Sequence, residues 1–290
     1  GRLNYNYKGK YLFSGTFRRD GSSRFGPDRR YGNFPAASIG WIISEESFLK
    51  NVNAITLLKL RGSYGKTGND QIGNVWTWRA SMSPLPGATS YLQSSGSFPT
   101  SIQIGDFGWE TTNQTDIGID LELWNGKVGF VADYYKRTTD GLLYGIAMPS
   151  TTGFTSVTNN LGDIQNEGLE FSLNTRNISK KNFSWSSNFN ISFNKNKLLN
   201  LYEGRTQDSY GDFGKATLLR VGEPISWQGV RVTGINPANG DFLVQDQDGD
   251  GVITDADMVV LGSPLPKHFG GFNNNLTFYN FDVNIFFTWS

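Results

Sequence analysis

Apolar and polar side chains alternate along much of this chain, with the period of two that is typical of β-strands. The clearest hairpin is residues 115–137, in which Ile, Leu, Val and aromatic side chains alternate with Asp, Glu and Gly. Asn125-Gly126 separates its two arms and predicts a tight two-residue turn, because both residues tolerate positive φ. Each arm has about 9–11 residues, the length of a tilted strand that crosses a bilayer. A half-buried hairpin of a soluble sandwich has the same pattern, so both interpretations stay open at this point.

The same alternation predicts about ten antiparallel strands along the chain. Residues 183–194 are the clearest single strand, with Phe, Trp and Ile on one face and Ser and Asn on the other. A last hairpin covers residues 269–290 and turns at Tyr279-Asn280, with apolar side chains on one face of its second arm. These segments predict an all-β fold.

The connections between the predicted strands are alternately short and long. The short ones lie at residue 9, 125–126, 178–182 and 279–280, with 45–55 as an intermediate case, and the long ones are residues 20–35, 66–114, 138–165 and 195–267. Outer-membrane barrels have short periplasmic turns and long extracellular loops, whereas a soluble sandwich has no reason to sort its loops in this way. The chain is therefore predicted to be part of an antiparallel transmembrane β-barrel, with the four long loops outside the cell.

Composition excludes several other classes of protein. The 290 residues contain no Cys, one His and equal numbers of acidic and basic side chains. A disulfide scaffold and a zinc–thiolate site are therefore excluded, and a net charge of zero argues against a nucleic-acid surface. No run of 18 apolar residues is present, so no transmembrane helix is predicted. The chain begins and ends within strand-like sequence, so we expect it to be a piece of a longer protein.

An acidic segment in the last long loop has the pattern of a calcium-binding loop. Such loops need oxygen ligands at positions 1, 3, 5, 7, 9 and 12, and Gly at position 6 for a sharp turn. Position 6 is Gly251, and position 12 is Asp rather than the usual Glu. We predict one structural Ca²⁺, held by Asp246, Asp248, Asp250, the Val252 carbonyl, Thr254 and Asp257. A plain acidic turn is the alternative.

Catalysis has little support in the sequence. His268 is the only histidine and has no Ser or Asp at a recognisable triad spacing. Asp120 and Glu122 share a strand face and resemble a glycosidase pair only weakly. We therefore expect no enzyme activity.

Aromatic residues in the long connections are the candidates for contact with a substrate or a partner protein. Exposed rings can stack on sugars or pack against a lid protein, although they can equally form small cores of the loops themselves. These residues are Trp76, Trp78, Tyr91, Tyr210 and Trp227.

Five segments of the chain carry a family resemblance: residues 34–51, 55–70, 109–143, 166–174 and 246–278, which begin FPAASIGW, ITLLKLRG, WETTNQTD, NEGLEFSL and DQDGDGVI. Together they resemble SusC/RagA-like TonB-dependent outer-membrane transporters. The likeness runs in the same order over nearly the whole chain, so it is more specific than any short motif.

This resemblance implies a 22-stranded barrel with a plugged lumen, of which residues 1–290 would be a fragment of about ten strands without the plug and the last strands. It also implies import of oligosaccharides or peptides through the outer membrane, together with a SusD-like surface lipoprotein. Energy would come from TonB-ExbB-ExbD through the missing N-terminal part. The alternative from the residues alone is a soluble, secreted calcium-binding β protein, either an adhesin or a carbohydrate-active enzyme.

Overall fold

The main feature of the computed structural model is one sheet of ten antiparallel strands. The structure describes residues 1–71, 78–84, 96–102, 107–154, 156–210 and 216–290. The strand order in the sheet is β1-β2-β3-β4-β7-β8-β9-β10-β17-β18, so every strand pairs with its neighbour along this list. The strands are β1 (Arg2–Tyr7), β2 (Tyr11–Gly21), β3 (Tyr31–Ile42), β4 (Ile55–Asn69), β7 (Glu110–Leu123), β8 (Val128–Ala147), β9 (Ser156–Lys180), β10 (Phe183–Leu201), β17 (His268–Phe278) and β18 (Phe281–Trp289).

The remaining strands belong to three small sheets in the long connections. They are β5 (Ser81–Pro84), β6 (Ser97–Ser101), β11 (Gln207–Tyr210), β12 (Thr217–Arg220), β13 (Ser226–Gly229), β14 (Val232–Ile235), β15 (Phe242–Val244) and β16 (Val259–Gly262). β5 pairs with β6, β14 pairs with β15, and the other four form a sheet in the order β11-β12-β13-β16. The loop after β10 is therefore itself folded.

The predicted sorting of short and long connections holds only in part in the main sheet. Residues 8–10, 43–54, 124–127, 181–182 and 279–280 connect strands at one edge, which we call the short-turn edge. The connections at the opposite edge are residues 22–30, 70–109, 148–155 and 202–267, and two of them, with nine and eight residues, are shorter than the twelve-residue connection 43–54. The turn at Asn125-Gly126 is not the predicted two-residue turn, because Leu123 pairs with Val128 and four residues intervene. Trp124, Asn125 and Gly126 all have positive φ, at 51°, 57° and 74°.

The long connections are shorter than the predicted ranges, because the strands continue past the point where their alternation ends. The predicted loop 20–35 reduces to residues 22–30, and 138–165 reduces to 148–155 between β8 and β9. β4 runs to Asn69 and β10 to Leu201, which trims the predicted loops 66–114 and 195–267. Backbone hydrogen bonds hold these extensions, and such bonds need no apolar face.

Cross-strand register divides the sheet into an apolar face and a polar face. Ile39, Gly62 and Ile117 lie side by side on β3, β4 and β7, and their neighbours Arg61 and Asp116 point to the other face. Among the described residues, one buried apolar cluster lies in the connections, Phe25 with Phe107, and the other joins the end of β10 to the loop that follows it, Leu198 and Leu201 with Leu219 of β12. The apolar face itself is open, since Ile39 is 66% exposed and Ile117 58% exposed.

No helix in the part of the chain that the structure describes is long and apolar enough to cross a membrane.

Candidate functional site

A charged network lies on the polar face of the sheet. Arg61 of β4 donates from Nε to Asp120 of β7 at 3.1 Å, and its Nη2 lies 2.6 Å from Oδ1 of Asp133 of β8. Lys59 Nζ approaches Asp120 at 3.8 Å. Asp120, which the sequence offered as one of two weakly supported catalytic carboxylates, is thus an ion-pair partner of two cations.

Glycine residues let long side chains cross a whole strand on this face. Gly118 of β7 is the register partner of both Arg61 and Asp133, so the Arg61 side chain passes directly over it. In the same way, Gly168 of β9 lies between Tyr135 of β8 and Asn194 of β10. The Tyr135 hydroxyl donates to Asn194 Oδ1 at 2.9 Å. Neither crossing was predicted from the sequence, although a Gly among alternating polar residues on a strand is a signal for close approach of another group.

The predicted calcium-binding loop connects two different small sheets. It follows β15, which pairs with β14, and precedes β16, which pairs with β13. The carboxylates of Asp246, Asp248 and Asp250 each offer an oxygen within 4.8 Å of the others. Asp246 also accepts hydrogen bonds from the backbone N–H groups of Gly249 and Gly251, at 2.6 and 2.8 Å. These bonds fold the chain back, so that three of the six predicted ligand residues come together.

Asp257 plays a different role in the same loop. It is buried, and its carboxylate accepts from the backbone N–H groups of Gln247 at 2.6 Å and Thr254 at 2.7 Å. These two hydrogen bonds favour the anion and lower the pKa of Asp257. Thr254 caps the short helical turn that follows, because its hydroxyl accepts from the N–H of Ala256. Asp257 therefore ties the two ends of the loop together, in addition to any role as a ligand.

The donor set of this loop is suitable for a hard cation. Carboxylate and carbonyl oxygens are the ligands that Ca²⁺ takes, typically 6–8 of them, and three carboxylates in close proximity repel one another unless a cation lies between them. Gly251 has φ of 81°, which provides the sharp turn at position 6. Each Asp257 oxygen keeps lone-pair capacity beyond the backbone bond that it accepts. The residues present thus fit a structural Ca²⁺.

The aromatic residues predicted to contact a substrate or partner do not form one group. Trp78 packs against the buried pair Phe25 and Phe107, so it belongs to the core of a loop. Trp227 lies on β13 and is 54% exposed. Trp76 and Tyr91 lie outside the described residues, as does the side chain of Tyr210 at the end of β11. Trp227 is thus the member of this set that the structure leaves accessible.

A network at the short-turn edge was not predicted from the sequence. Glu46 accepts hydrogen bonds from Lys10 Nζ at 2.8 Å, the Tyr11 hydroxyl at 2.7 Å and Trp41 Nε1 at 3.1 Å. These donors stabilise the carboxylate and lower the pKa of Glu46 to about 2. The rings of Tyr5, Tyr7, Tyr11 and Trp41 follow one another at centroid distances of 6.3 to 6.5 Å. This row of aromatic rings lies where interface girdles of membrane barrels are found.

Comparison with known proteins relates the whole chain to one family. Residues 1–287 match the family described as TonB dependent receptor-like, beta-barrel. The chain is 38% identical to TonB-dependent receptor P3 of Formosa agariphila, over 99% of this chain and 31% of that protein. It is 33% identical to TonB-dependent receptor SusC of Bacteroides thetaiotaomicron, over 98% of this chain and 30% of that protein.

Solved structures show the same fold. The RagAB peptide transporter superposes with a TM-score of 0.85 at 24% sequence identity, over 99% of this chain and 32% of that one. The chain thus spans about a third of the length of the relatives that it matches. Its ten-stranded sheet is a partial barrel, as the resemblance implied. The chain belongs to the TonB-dependent receptor-like β-barrel family, a family of outer-membrane receptors and transporters.

Proposed function

We propose that this chain forms part of the wall and the outer loops of an outer-membrane nutrient importer. The observation that carries the proposal is the two-faced sheet of a TonB-dependent receptor barrel. Its apolar face leaves side chains such as Ile39 and Ile117 mostly exposed, and no described element covers them. Lipid is the environment in which such a face is stable, and the charged network of Arg61 and Asp120 then faces water in the lumen.

Membrane residence is tested by the behaviour of the protein in detergent. We expect the full-length protein to enter the detergent phase on phase separation and to migrate faster on gels before boiling than after it. A protein that stays in the aqueous phase without detergent would support the alternative, a soluble secreted calcium-binding β protein.

The importer would act with a SusD-like surface lipoprotein and with TonB-ExbB-ExbD. The similarity to SusC and to RagAB supports this set of partners. The cargo would be an oligosaccharide or a peptide, and the exposed ring of Trp227 offers an apolar surface on which a sugar ring can stack. Affinity purification from solubilised outer membranes, followed by identification of co-purifying lipoproteins, tests the partnership. Uptake of labelled oligosaccharides and peptides by cells with and without the gene separates the two cargo classes.

The long connections would face the outside of the cell. Ser23 is exposed in the connection between β2 and β3, and Ser156 is exposed at the start of β9, next to the connection 148–155, whereas Asn125 and Asn280 are exposed at the short-turn edge. We expect Ser23→Cys and Ser156→Cys to react with a membrane-impermeant thiol reagent on intact cells, and Asn125→Cys and Asn280→Cys to react only after lysis. The reverse labelling pattern would place the short turns outside. Ser22 is less suitable than Ser23, because it is buried and bonded to Asp70 at 2.8 Å.

The acidic loop would bind one calcium ion with a structural role. The ion would replace the repulsion among Asp246, Asp248 and Asp250 by attraction, and would thereby hold β15 and β16 in a fixed relation. Because these strands belong to two separate small sheets, the bound ion would order much of the loop between β10 and β17. Mg²⁺ would fit less well, since it demands octahedral geometry and keeps its waters.

A further inference from the structure

A groove on the apolar face of the sheet is the feature of this molecule that its proposed role as an importer leaves unexplained. The groove has a volume of about 870 Å³ and lies over β2, β3, β4 and β7. Its floor is Gly62, which has Ile39 and Ile117 as its register partners on either side. Leu60 and Trp41 flank one end, and Tyr64 flanks the other.

The groove exists because a glycine occupies an apolar position between larger side chains. Leu60, Gly62 and Tyr64 alternate along β4 and therefore share one face. A Cβ at Gly62 would meet Ile39 Cγ1 at 3.8 Å and the Asp116 carbonyl oxygen at 3.9 Å, which are ordinary van der Waals distances. Packing thus does not require glycine here, in contrast to Gly118, where a Cβ would lie only 2.7 Å from Arg61 Cζ. Gly62 leaves open space that no described side chain uses.

We propose that this groove holds one acyl chain of an anionic phospholipid, whose phosphate lies near Lys8 at the short-turn edge. Leu60 and Tyr64 are four residues apart on β4, which is about 13 Å along a strand. One leaflet of a bilayer has roughly half of the ~30 Å hydrocarbon thickness, so the groove is as long as one leaflet is deep. The flanking side chains are apolar and aromatic, and a saturated chain gains contact and loses no hydrogen bond there.

The head-group end is defined by charge and by the row of aromatic rings. Lys8 Nζ lies 5.2 Å from the centroid of the Tyr7 ring, and Tyr7, Tyr11 and Trp41 follow one another toward the groove. Lysine side chains near a membrane surface extend their amines toward lipid phosphates. Lys10 and Glu46 neutralise each other at 2.8 Å, so Lys8 supplies the cation for the phosphate. An exposed Lys8 beside an apolar groove suits an anionic phospholipid, which carries both a phosphate and an acyl chain. The apolar wall of a second copy of this protein would leave the Lys8 amine without an anion.

The proposal rests on the proposed function in one respect, because it requires the apolar face to lie in a bilayer. The two can fail separately. A protein that remains aqueous in the detergent test overturns the importer, whereas a protein that enters the detergent phase but holds no lipid in this groove overturns only the present inference.

The test is lipid binding by the purified, delipidated full-length protein in detergent, with phosphatidylglycerol and phosphatidylcholine added as probes and bound lipid counted by native mass spectrometry. Gly62→Leu fills the groove. Losing the burial of about two methylenes weakens binding about tenfold, so we expect at least that loss for phosphatidylglycerol. Gly129→Leu is the matched control, because a Cβ at Gly129, on the polar face of β8, also meets only ordinary contacts, with Asn174 Cβ at 3.8 Å. Gly129→Leu should bind like the wild type.

Lys8→Gln tests the head-group end separately. We expect it to weaken phosphatidylglycerol binding about fivefold and to leave phosphatidylcholine binding unchanged. Phosphatidylglycerol binding by Gly62→Leu that equals the wild type overturns the proposal, and so does an equal loss in Gly129→Leu.

If Gly62→Leu does not assemble, a second measurement tests whether an acyl chain lies in the groove. Phosphatidylglycerol with a brominated acyl chain should quench the fluorescence of Trp41. We therefore expect the quenched part of the fluorescence to be larger in the wild type than in Trp41→Phe. No difference between these two proteins would overturn the proposal.

Discussion

The guanidinium of Arg61 and the carboxylate of Asp133 form an ion pair at 2.6 Å, although the two residues lie on β4 and β8 with β7 between them. The pair is possible only because the intervening residue of β7 is Gly118. Arg61 also binds Asp120 at 3.1 Å, so one side chain joins three strands on the polar face. Hydrogen-bonded ladders hold neighbouring strands together, and this crossing adds a connection between strands that are not neighbours.

Gly118→Ala should separate Arg61 from Asp133, since the added Cβ would overlap both the carboxylate and the guanidinium. A partly buried charge that loses its partner costs about 1–3 kcal/mol, so the barrel should be less stable by that amount. The temperature at which folded migration on gels is lost would show it. Gly129→Ala, also on the polar face but with room for a Cβ, should behave like the wild type, and equal losses in both variants would contradict this account.

Ile191→Arg and Asn190→Arg should differ strongly, because the two neighbours on β10 point to opposite faces. Ile191 pairs with Phe171 on the apolar face, and Asn190 pairs with Ser172 on the polar face. An Arg facing lipid near the bilayer midplane costs roughly 2–4 kcal/mol, and an Arg in the lumen much less. Equilibrium unfolding in lipid vesicles measures both values. Similar losses at the two positions would mean that the assignment of the faces is wrong.

Asp248→Ala combined with Asp250→Ala should abolish calcium binding and leave the main sheet assembled. The double variant removes two of the three carboxylates that come together in the loop, and the remaining oxygens are too few for the 6–8 that Ca²⁺ takes. Calcium content of the purified full-length protein is the measurement. Asp241→Ala is the control, since Asp241 lies in the same long loop but binds Asn239 instead of joining the cluster. Equal calcium content in the wild type, the double variant and Asp241→Ala would contradict calcium binding by this loop.

Glu46→Gln should destabilise the short-turn edge at neutral pH but not in strong acid. The folded-state pKa of Glu46 is lowered from 4.5 to about 2 by hydrogen bonds from Lys10, Tyr11 and Trp41. A lowered pKa contributes stability that is fully present above the unfolded value and is lost as pH falls toward the folded value. The difference between wild type and Glu46→Gln should therefore be constant above about pH 5 and shrink between pH 4.5 and pH 2.

Midpoints of heat-induced loss of folded migration at pH 7, 5 and 3 would check the Glu46 prediction. Glu45→Gln removes the same charge from an exposed neighbour and should change little at any of these pH values. A difference between wild type and Glu46→Gln that does not depend on pH would mean that the carboxylate contributes through shape rather than charge.

The sequence by itself determined the number of wall strands and their two faces. Side chains on a strand point alternately to opposite sides, so Ile117 and Asp116 were assigned to opposite faces without any knowledge of their neighbours. The composition of residues 246–257 likewise predicted the clustering of Asp246, Asp248 and Asp250, because a turn of this kind brings nearby residues together.

Tertiary structure decided what depends on register and on backbone conformation. The ends of β8 and β9 are set by backbone hydrogen bonds, which leave no pattern in side-chain polarity, so the predicted loop 138–165 was too long. The turn between Leu123 and Val128 has four residues, and Trp124 also adopts positive φ there. Nothing about a Trp side chain predicts that backbone conformation. Arg61 meets Asp133, and Gly62 leaves a groove, only once three strands are aligned side by side. Residues far apart in sequence come into contact through that alignment, and the local pattern of apolar and polar residues does not predict it.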